Sequence, residues 1–377
     1  MNKATSAYLD MLRVMTAIVV FLVHASYQRF TGGIPIIGDM KFLANDGVMV
    51  FFVLSGFVIS YVCDKKEPQV TDYAISRIAR LYSVSVPALI LTVILDYIGS
   101  SVDFSVYDGW WFEMNNPLWR LTAALFYINE LWFSSVRLFS NGPFWSLGYE
   151  FWYYVIFGAF FYFDGMKRLF IAAISALIAG PKIMLLSPVW LLGVATYRVV
   201  KCVKVSEFWG WLLFFGSVVL YALFIYYDAP LAINDWSLLN LEFIFSWKEC
   251  KWSYAAPFLN CYAVGAMASL HFIGFAAISH RFLRVIGQVS RYIHYVAGFT
   301  FSIYLFHYPL LQFLTAISGE ISDSTLRSFV IVLGTFAIIY PLGLVTEMKK
   351  AEVKRLIALA YNLVARSGRI TIKAVQR

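Results

Sequence analysis

The sequence predicts an all-α, polytopic integral membrane protein with about ten transmembrane helices. Three observations predict it. Of the 377 residues, 60% are hydrophobic and only 14% charged, against roughly 45–50% and about 25% in an ordinary soluble domain. The apolar residues fall into ten runs, each near the roughly 20 residues needed to cross about 30 Å of hydrocarbon. Lys and Arg collect in alternate connections between those runs. In a polar chain the formal charge of +8 would suggest nucleic acid. Here the cations are separated by membrane-length runs and 19% of residues are aromatic, so membrane lipids are the expected surroundings and nucleic acid is not an expected partner. The same composition argues against disorder, a disulfide scaffold or a collagen-like repeat.

The first run, near residues 9–28, carries Arg13 and His24 and lacks a small-residue cleavage site before Gln28-Arg29-Phe30. It reads as a retained span rather than a removable signal peptide. The second, 46–63, contains Ser55-Gly56, a small pair that lets a neighbouring backbone approach closely. The third, 81–99, follows Arg77 and Arg80. The aromatic stretch 121–133 reads as a re-entrant or interfacial segment, and the fourth span covers 145–164. Runs 168–183 and 185–200 are separated only around Ser187-Pro188, so they are either two spans or one broken helix. The last four lie near 208–227, 256–278, 292–317 and 326–346. Residues 1–346 then form one membrane domain, and 347–377 a basic amphipathic tail suited to an anionic inner leaflet.

The positive-inside rule orients the chain with both termini in the cytoplasm. Segments 1–13, 64–80, 164–168, 198–207, 279–291 and 347–377 hold 22 Lys/Arg and 8 acids; the rest holds 8 Lys/Arg and 14 acids. The outer side is therefore acidic, with Asp103, Asp108, Glu113, Asp228, Asp235, Glu242 and Glu249 in two long loops. The four cysteines form no metal-binding pattern, and no metal is expected. Cys63 and Cys202 fall at cytoplasmic ends, while Cys250 and Cys261 fall near the outer side, where a disulfide is open to them.

Ionisable groups inside spans are costly and mark candidate sites. Arg13 and His24 lie eleven residues apart on one helix, a separation of roughly 16 Å. Arg13 either snorkels to inner headgroups or binds a ligand; His24, taken alone, reads first as a packed histidine bonded to a carbonyl. Glu150 lies roughly 8 Å below the outer surface on the fourth span, near the depth of His24. A histidine and a carboxylate at matching depth make a candidate pair in which Glu150 fixes the imidazole tautomer. The alternative is a carboxylate bonded to a tryptophan or tyrosine. Arg77 and Arg80, at i and i+3, present two guanidinium forks suited to phosphate, or simply obey the positive-inside rule. His307 precedes Pro309, whose ring frees a carbonyl; its expected part is to bond locally and shape the site.

Together these segments resemble the acyltransferase-3 family of integral-membrane O-acyltransferases, in its stand-alone membrane form. The resemblance rests on Arg13 and His24 in Arg-x10-His spacing, Gly47 through Phe57, Arg77-Ile78-Ala79-Arg80-Leu81-Tyr82, Phe144 through Glu150, and Phe301 through Leu310. Two departures stand out. Met49 replaces the aspartate many relatives carry, and Leu147-Gly148-Tyr149-Glu150-Phe151-Trp152 keeps one carboxylate only. The 31-residue tail is too short for the appended SGNH-type domain of some relatives.

The resemblance implies transfer of an acyl group, most often acetyl from acetyl-CoA, to a hydroxyl of an extracytoplasmic carbohydrate. Implied acceptors are O-antigen of lipopolysaccharide, exopolysaccharide or a lipid-linked saccharide, at a bacterial inner membrane. Arg13, Arg77 and Arg80 would then hold the phosphates of acyl-CoA, His24 would act as the base and Glu150 would orient it, with Ser55, Tyr149 or Tyr304 near the oxyanion. Direct transfer and an acyl-enzyme route are both open. Trp110, Trp111, Trp119 and Trp236 could stack on sugars or form the interfacial belt. The other class of function these features suit is a transporter or flippase of an acyl donor or lipid-linked sugar. Oligomeric state is not readable from the sequence.

Overall fold

The computed structural model describes residues 2–35, 37–245 and 252–375, with side chains described up to 237 and between 252 and 364. Cys250, and with it the question of a Cys250–Cys261 pair, lies outside the described residues. Among the described residues fifteen α-helices follow in order: α1 (Lys3–Ala25), α2 (Gln28–Thr31), α3 (Phe42–Lys65), α4 (Val70–Val102), α5 (Pro117–Leu125), α6 (Trp145–Tyr162), α7 (Gly165–Ala179), α8 (Pro181–Cys202), α9 (Glu207–Tyr226), α10 (Ala229–Phe245), α11 (Phe258–Ile278), α12 (Leu283–Ala297), α13 (Thr300–Ile317), α14 (Ser324–Val345) and α15 (Lys350–Val375). Among the described residues there is no strand beyond an isolated bridge between Leu138 and Asn141. The chain is an all-α polytopic membrane protein.

Among the described residues, seven helical stretches are long and apolar enough to cross a membrane: Lys3–Ala25, Phe42–Lys65, Val70–Val102, Pro181–Cys202, Glu207–Tyr226, Phe258–Ala297 and Ser324–Val364. Helices α6, α7 and α13 occupy the other three apolar runs without meeting the same measure. Helix α7 is only 15 residues long. Helix α13 buries Ser302, His307, Gln312 and Thr315 inside the bundle, and a helix that faces protein rather than lipid need not be uniformly apolar.

The centre of the bundle is the crossing of α3 and α8. A Cβ on Gly56 would lie 2.1 Å from the Trp190 carbonyl oxygen, and one on Gly193 would lie 2.0 Å from that of Val53. The two glycines thus let the backbones touch, as the Ser55-Gly56 pair suggests. Trp190 Nε1 then donates to Ser55 Oγ at 3.2 Å, tying α8 to a polar position on α3.

Three boundaries differ from the sequence reading. The break between the fifth and sixth runs falls at Gly180, whose φ is 83°, while Pro188 lies inside α8. The carbonyl four residues before Pro188, that of Met184, accepts Ser187 Oγ at 2.7 Å, so the proline leaves no unpaired acceptor and the helix continues. The ninth run splits at Gly298-Phe299 into amphipathic α12 and buried α13. Part of the second long loop is helical, as α10. In the 121–133 stretch, α5 ends at Leu125 and the following backbone turns inward, with Asn129 and Glu130 buried. Glu130 accepts from Lys182 Nζ at 2.5 Å, both side chains being almost fully enclosed. Irregular backbone at this depth is covered by protein, which is the condition under which a membrane tolerates it.

Candidate active site

Two cavities meet inside the bundle. One, of about 600 Å³, is lined by His24, Tyr27, Arg29, Lys41, Trp110, Trp111, Arg137, Trp145, Tyr254 and Tyr308 among others. The second is narrow, about 60 Å³, and is lined by Arg13, Ser55, Arg80, Ser146, Glu150, Thr300 and neighbouring apolar residues. Val48 and Tyr304 line both.

Helix α1 carries Arg13 to the narrow cavity and His24 to the wide one. His24 Nδ1 lies 2.9 Å from His307 Nε2, with the rings near-parallel at 15° and their centroids 5.1 Å apart. His307 Nδ1 lies 2.9 Å from the Ile303 carbonyl oxygen, one turn back on α13. A carbonyl only accepts, so the proton sits on His307 Nδ1 and Nε2 is left as an acceptor. His24 must then donate from Nδ1, which leaves the lone pair on its Nε2 without a protein partner among the described residues. A neutral imidazole held in this tautomer beside a cavity is suited to remove a proton from a hydroxyl.

Pro309 contributes as its position suggests. The carbonyl it frees, Leu305 O, accepts Asn141 Nδ2 at 2.9 Å, which fastens α13 to the segment before α6. Tyr304, one turn above His307, places its hydroxyl 2.9 Å from Ser146 Oγ and donates to Pro143 O at 3.0 Å.

The proposed His24–Glu150 pair is corrected by this geometry. Glu150 Oε1 accepts from Ser55 Oγ at 2.6 Å and from the Tyr154 hydroxyl. Its place is in the narrow cavity with Arg13 and Arg80, and His24 has His307 instead. The sequence reading set the two at matching depth, whereas Glu150 shares its cavity with Arg13, eleven residues before His24 on α1.

The arginines also divide. Arg80 lines the narrow cavity, whereas Arg77 does not. Arg77 Nη2 bonds both carboxylate oxygens of Glu67, at 2.9 and 3.1 Å, and its guanidinium lies over the Tyr73 and Tyr154 rings. A buried guanidinium is drawn to the carboxylate that neutralises it, so the two forks do not act together. Arg13 pairs with Asp10 at 3.0 Å, and the other oxygen of Asp10 lies 2.6 Å from His294 Nδ1.

Ser55 is engaged by Glu150, and Tyr149 lines neither cavity. The Tyr149 hydroxyl is buried without a partner among the described residues, and its ring packs edge-on against Trp145. Tyr304 remains the hydroxyl shared by both cavities. Trp110 and Trp111 line the wide cavity; Trp119 and Trp236 do not. Sequence reasoning passed over Arg29, Lys41 and Arg137, which line the wide cavity beside His24. The available signal for Arg29 was its place five residues beyond His24.

Residues 6–344 match the family model described as an acyltransferase domain. Comparison with curated proteins and with solved structures finds no match. With nearly the whole membrane bundle inside the matched region, the chain belongs to the acyltransferase-3 family and is a membrane acyltransferase.

Proposed function

We propose that the protein moves an acetyl or other short acyl group from cytoplasmic acyl-CoA to a hydroxyl of an extracytoplasmic glycan, such as O-antigen or exopolysaccharide. It would do so in a bacterial inner membrane with both termini cytoplasmic. The observation that carries this reading is the open Nε2 of His24 beside a wide aromatic cavity, next to a narrow one holding Arg13 and Arg80.

In this reading the CoA phosphates rest near Arg13 and Arg80, with Arg77 excluded by Glu67. The pantetheine arm brings the thioester through the narrow cavity to the level of Tyr304 and Val48. The acceptor lies among the aromatic side chains of the wide cavity, where flat ring faces suit sugar rings. His24 Nε2 takes the acceptor proton as the oxygen attacks the thioester carbonyl carbon. Collapse of the tetrahedral species breaks the C–S bond, and the proton passes from His24 to the leaving thiolate, giving CoA thiol and the acyl ester. The Tyr304 hydroxyl lines both cavities and would serve the oxyanion by turning its one proton from Pro143 O toward it.

The test is a reconstituted reaction with acetyl-radiolabelled acetyl-CoA and surface glycan from cells lacking the protein. The expected result is label bound covalently to glycan with equimolar CoA thiol released. Label that crosses the membrane still attached to CoA would replace this reading with a transporter.

A further inference from the structure

The end of the bundle at which α1 finishes carries six cations with described side chains, and three of them are held by partners of their own. Lys182 is paired with Glu130 at 2.5 Å. Arg120 meets Glu113 and donates to the Arg137 carbonyl at 2.8 Å. Arg327 is bonded to Thr315 O at 3.0 Å and Ser318 Oγ at 3.2 Å. The remaining three, Arg29, Lys41 and Arg137, all line the wide cavity. None is paired with a carboxylate among the described residues, and no Asp or Glu lines that cavity. This holds although the connections on this side carry more acids than cations overall.

Arg29 donates to the Tyr308 hydroxyl, and its Nε is buried without an acceptor. Its guanidinium carbon lies 4.5 Å from the ring centroids of both Phe30 and Trp111. Arg137 lies 5.3 Å over the Trp110 ring and donates to Trp111 O at 3.2 Å. Aromatic faces hold such guanidinium groups in place but do not neutralise them. Three converging cations on a half-enclosed wall raise the potential of the cavity and favour an anion there.

Resting on the acyl-transfer reading, we infer that the acceptor bound in the wide cavity is an anionic saccharide. A carboxylate or phosphate on the glycan is held by Arg29, Arg137 and Lys41 while a neighbouring hydroxyl faces His24. The two Arg forks match either anion.

The test measures binding to the purified full chain by quenching of tryptophan fluorescence, with three trisaccharide probes: maltotriose, galacturonic acid trimer, and maltotriose bearing one phosphomonoester. Charged hydrogen bonds predict that at least one anionic probe binds about tenfold more tightly than maltotriose or better, with the advantage shrinking as salt rises. Which anion wins distinguishes carboxylate from phosphate. Arg137→Gln and Lys41→Gln, checked for folding by size exclusion, are expected to remove most of the difference. Equal binding of all three probes overturns the inference. So does a variant that raises the KM for acetyl-CoA while leaving saccharide binding unchanged, because the cations would then serve the donor. Anion-selective binding without acyl transfer would refute the proposed reaction and leave the anionic ligand standing.

Discussion

His24 and His307, 283 positions apart in the chain, face each other across α1 and α13 with Nδ1 and Nε2 2.9 Å apart. The Ile303 carbonyl fixes the tautomer of His307, and His307 fixes that of His24. His307 is therefore a positioning residue, with no route of its own to the substrate. Replacing it by Ala should lower turnover by roughly 10²-fold or more, in the range typical of an acid–base group, while the KM for acyl-CoA stays within about twofold. The kcat and KM of the purified variant check this; a rise in KM at unchanged kcat would place His307 in donor binding instead.

Glu150 bonds Ser55 and Tyr154 rather than His24. Glu150→Gln should therefore leave the midpoint of the acidic limb of kcat/KM, where the base must lose its proton, within about 0.3 pH units of wild type, whatever it does to overall activity. A carboxylate hydrogen-bonded to the imidazole would stabilise its charged form, so a downward displacement of about a unit or more on removing the charge would restore the His24–Glu150 pair.

Arg80 and Arg77 should separate experimentally. Arg80→Gln is expected to raise the KM for acyl-CoA about tenfold, the scale of one lost charge-assisted contact. Arg77→Ala leaves Glu67 buried without its partner, a cost of about 3–5 kcal/mol. It should lower the melting temperature and yield while the protein that survives keeps its acyl-CoA affinity. Thermal unfolding beside steady-state kinetics would show the opposite pattern if Arg77 bound phosphate.

At the α3–α8 crossing, Gly56→Ala would drive a Cβ to 2.1 Å from Trp190 O. The backbones must separate, pulling Trp190 from Ser55 and disturbing Glu150. We expect loss of the monodisperse peak in detergent, whereas Gly216→Ala, with nothing within 4 Å of its Cβ, should behave as wild type.

The all-α membrane fold was legible because lipid imposes a coarse rule: apolar length, interrupted by charge. Each apolar run lies mainly in helix, the ninth divided between two, and seven stretches among the described residues are long and apolar enough to span. What one-dimensional reading could not place was which side chains of different helices meet, in level and in facing. His24 and Glu150 were singled out as ionisable groups inside spans, and each is half-buried and lines a cavity, yet the partner of His24 came from α13, and Glu150 turned to Ser55 on α3. Arg77 and Arg80 share a spacing that puts them on one helix face, but Glu67, in the turn before α4, captured the first. The cations of the wide cavity were hidden for a different reason. Arg29 and Lys41 stand in the connection between α1 and α3 and Arg137 in that between α5 and α6, and only the closing of the bundle brings them together.

The central claim is that His24 Nε2 is the base that activates the acceptor. It is tested most directly by release of CoA thiol from acetyl-CoA with glycan acceptor present, comparing wild type with His24→Ala purified to the same monodispersity. Wild type should release thiol in proportion to acceptor, and the variant should fall to the no-enzyme rate while still binding acetyl-CoA. Thiol release by the folded variant within about threefold of wild type, well inside the roughly 10²–10⁴-fold expected for an acid–base group, would contradict it.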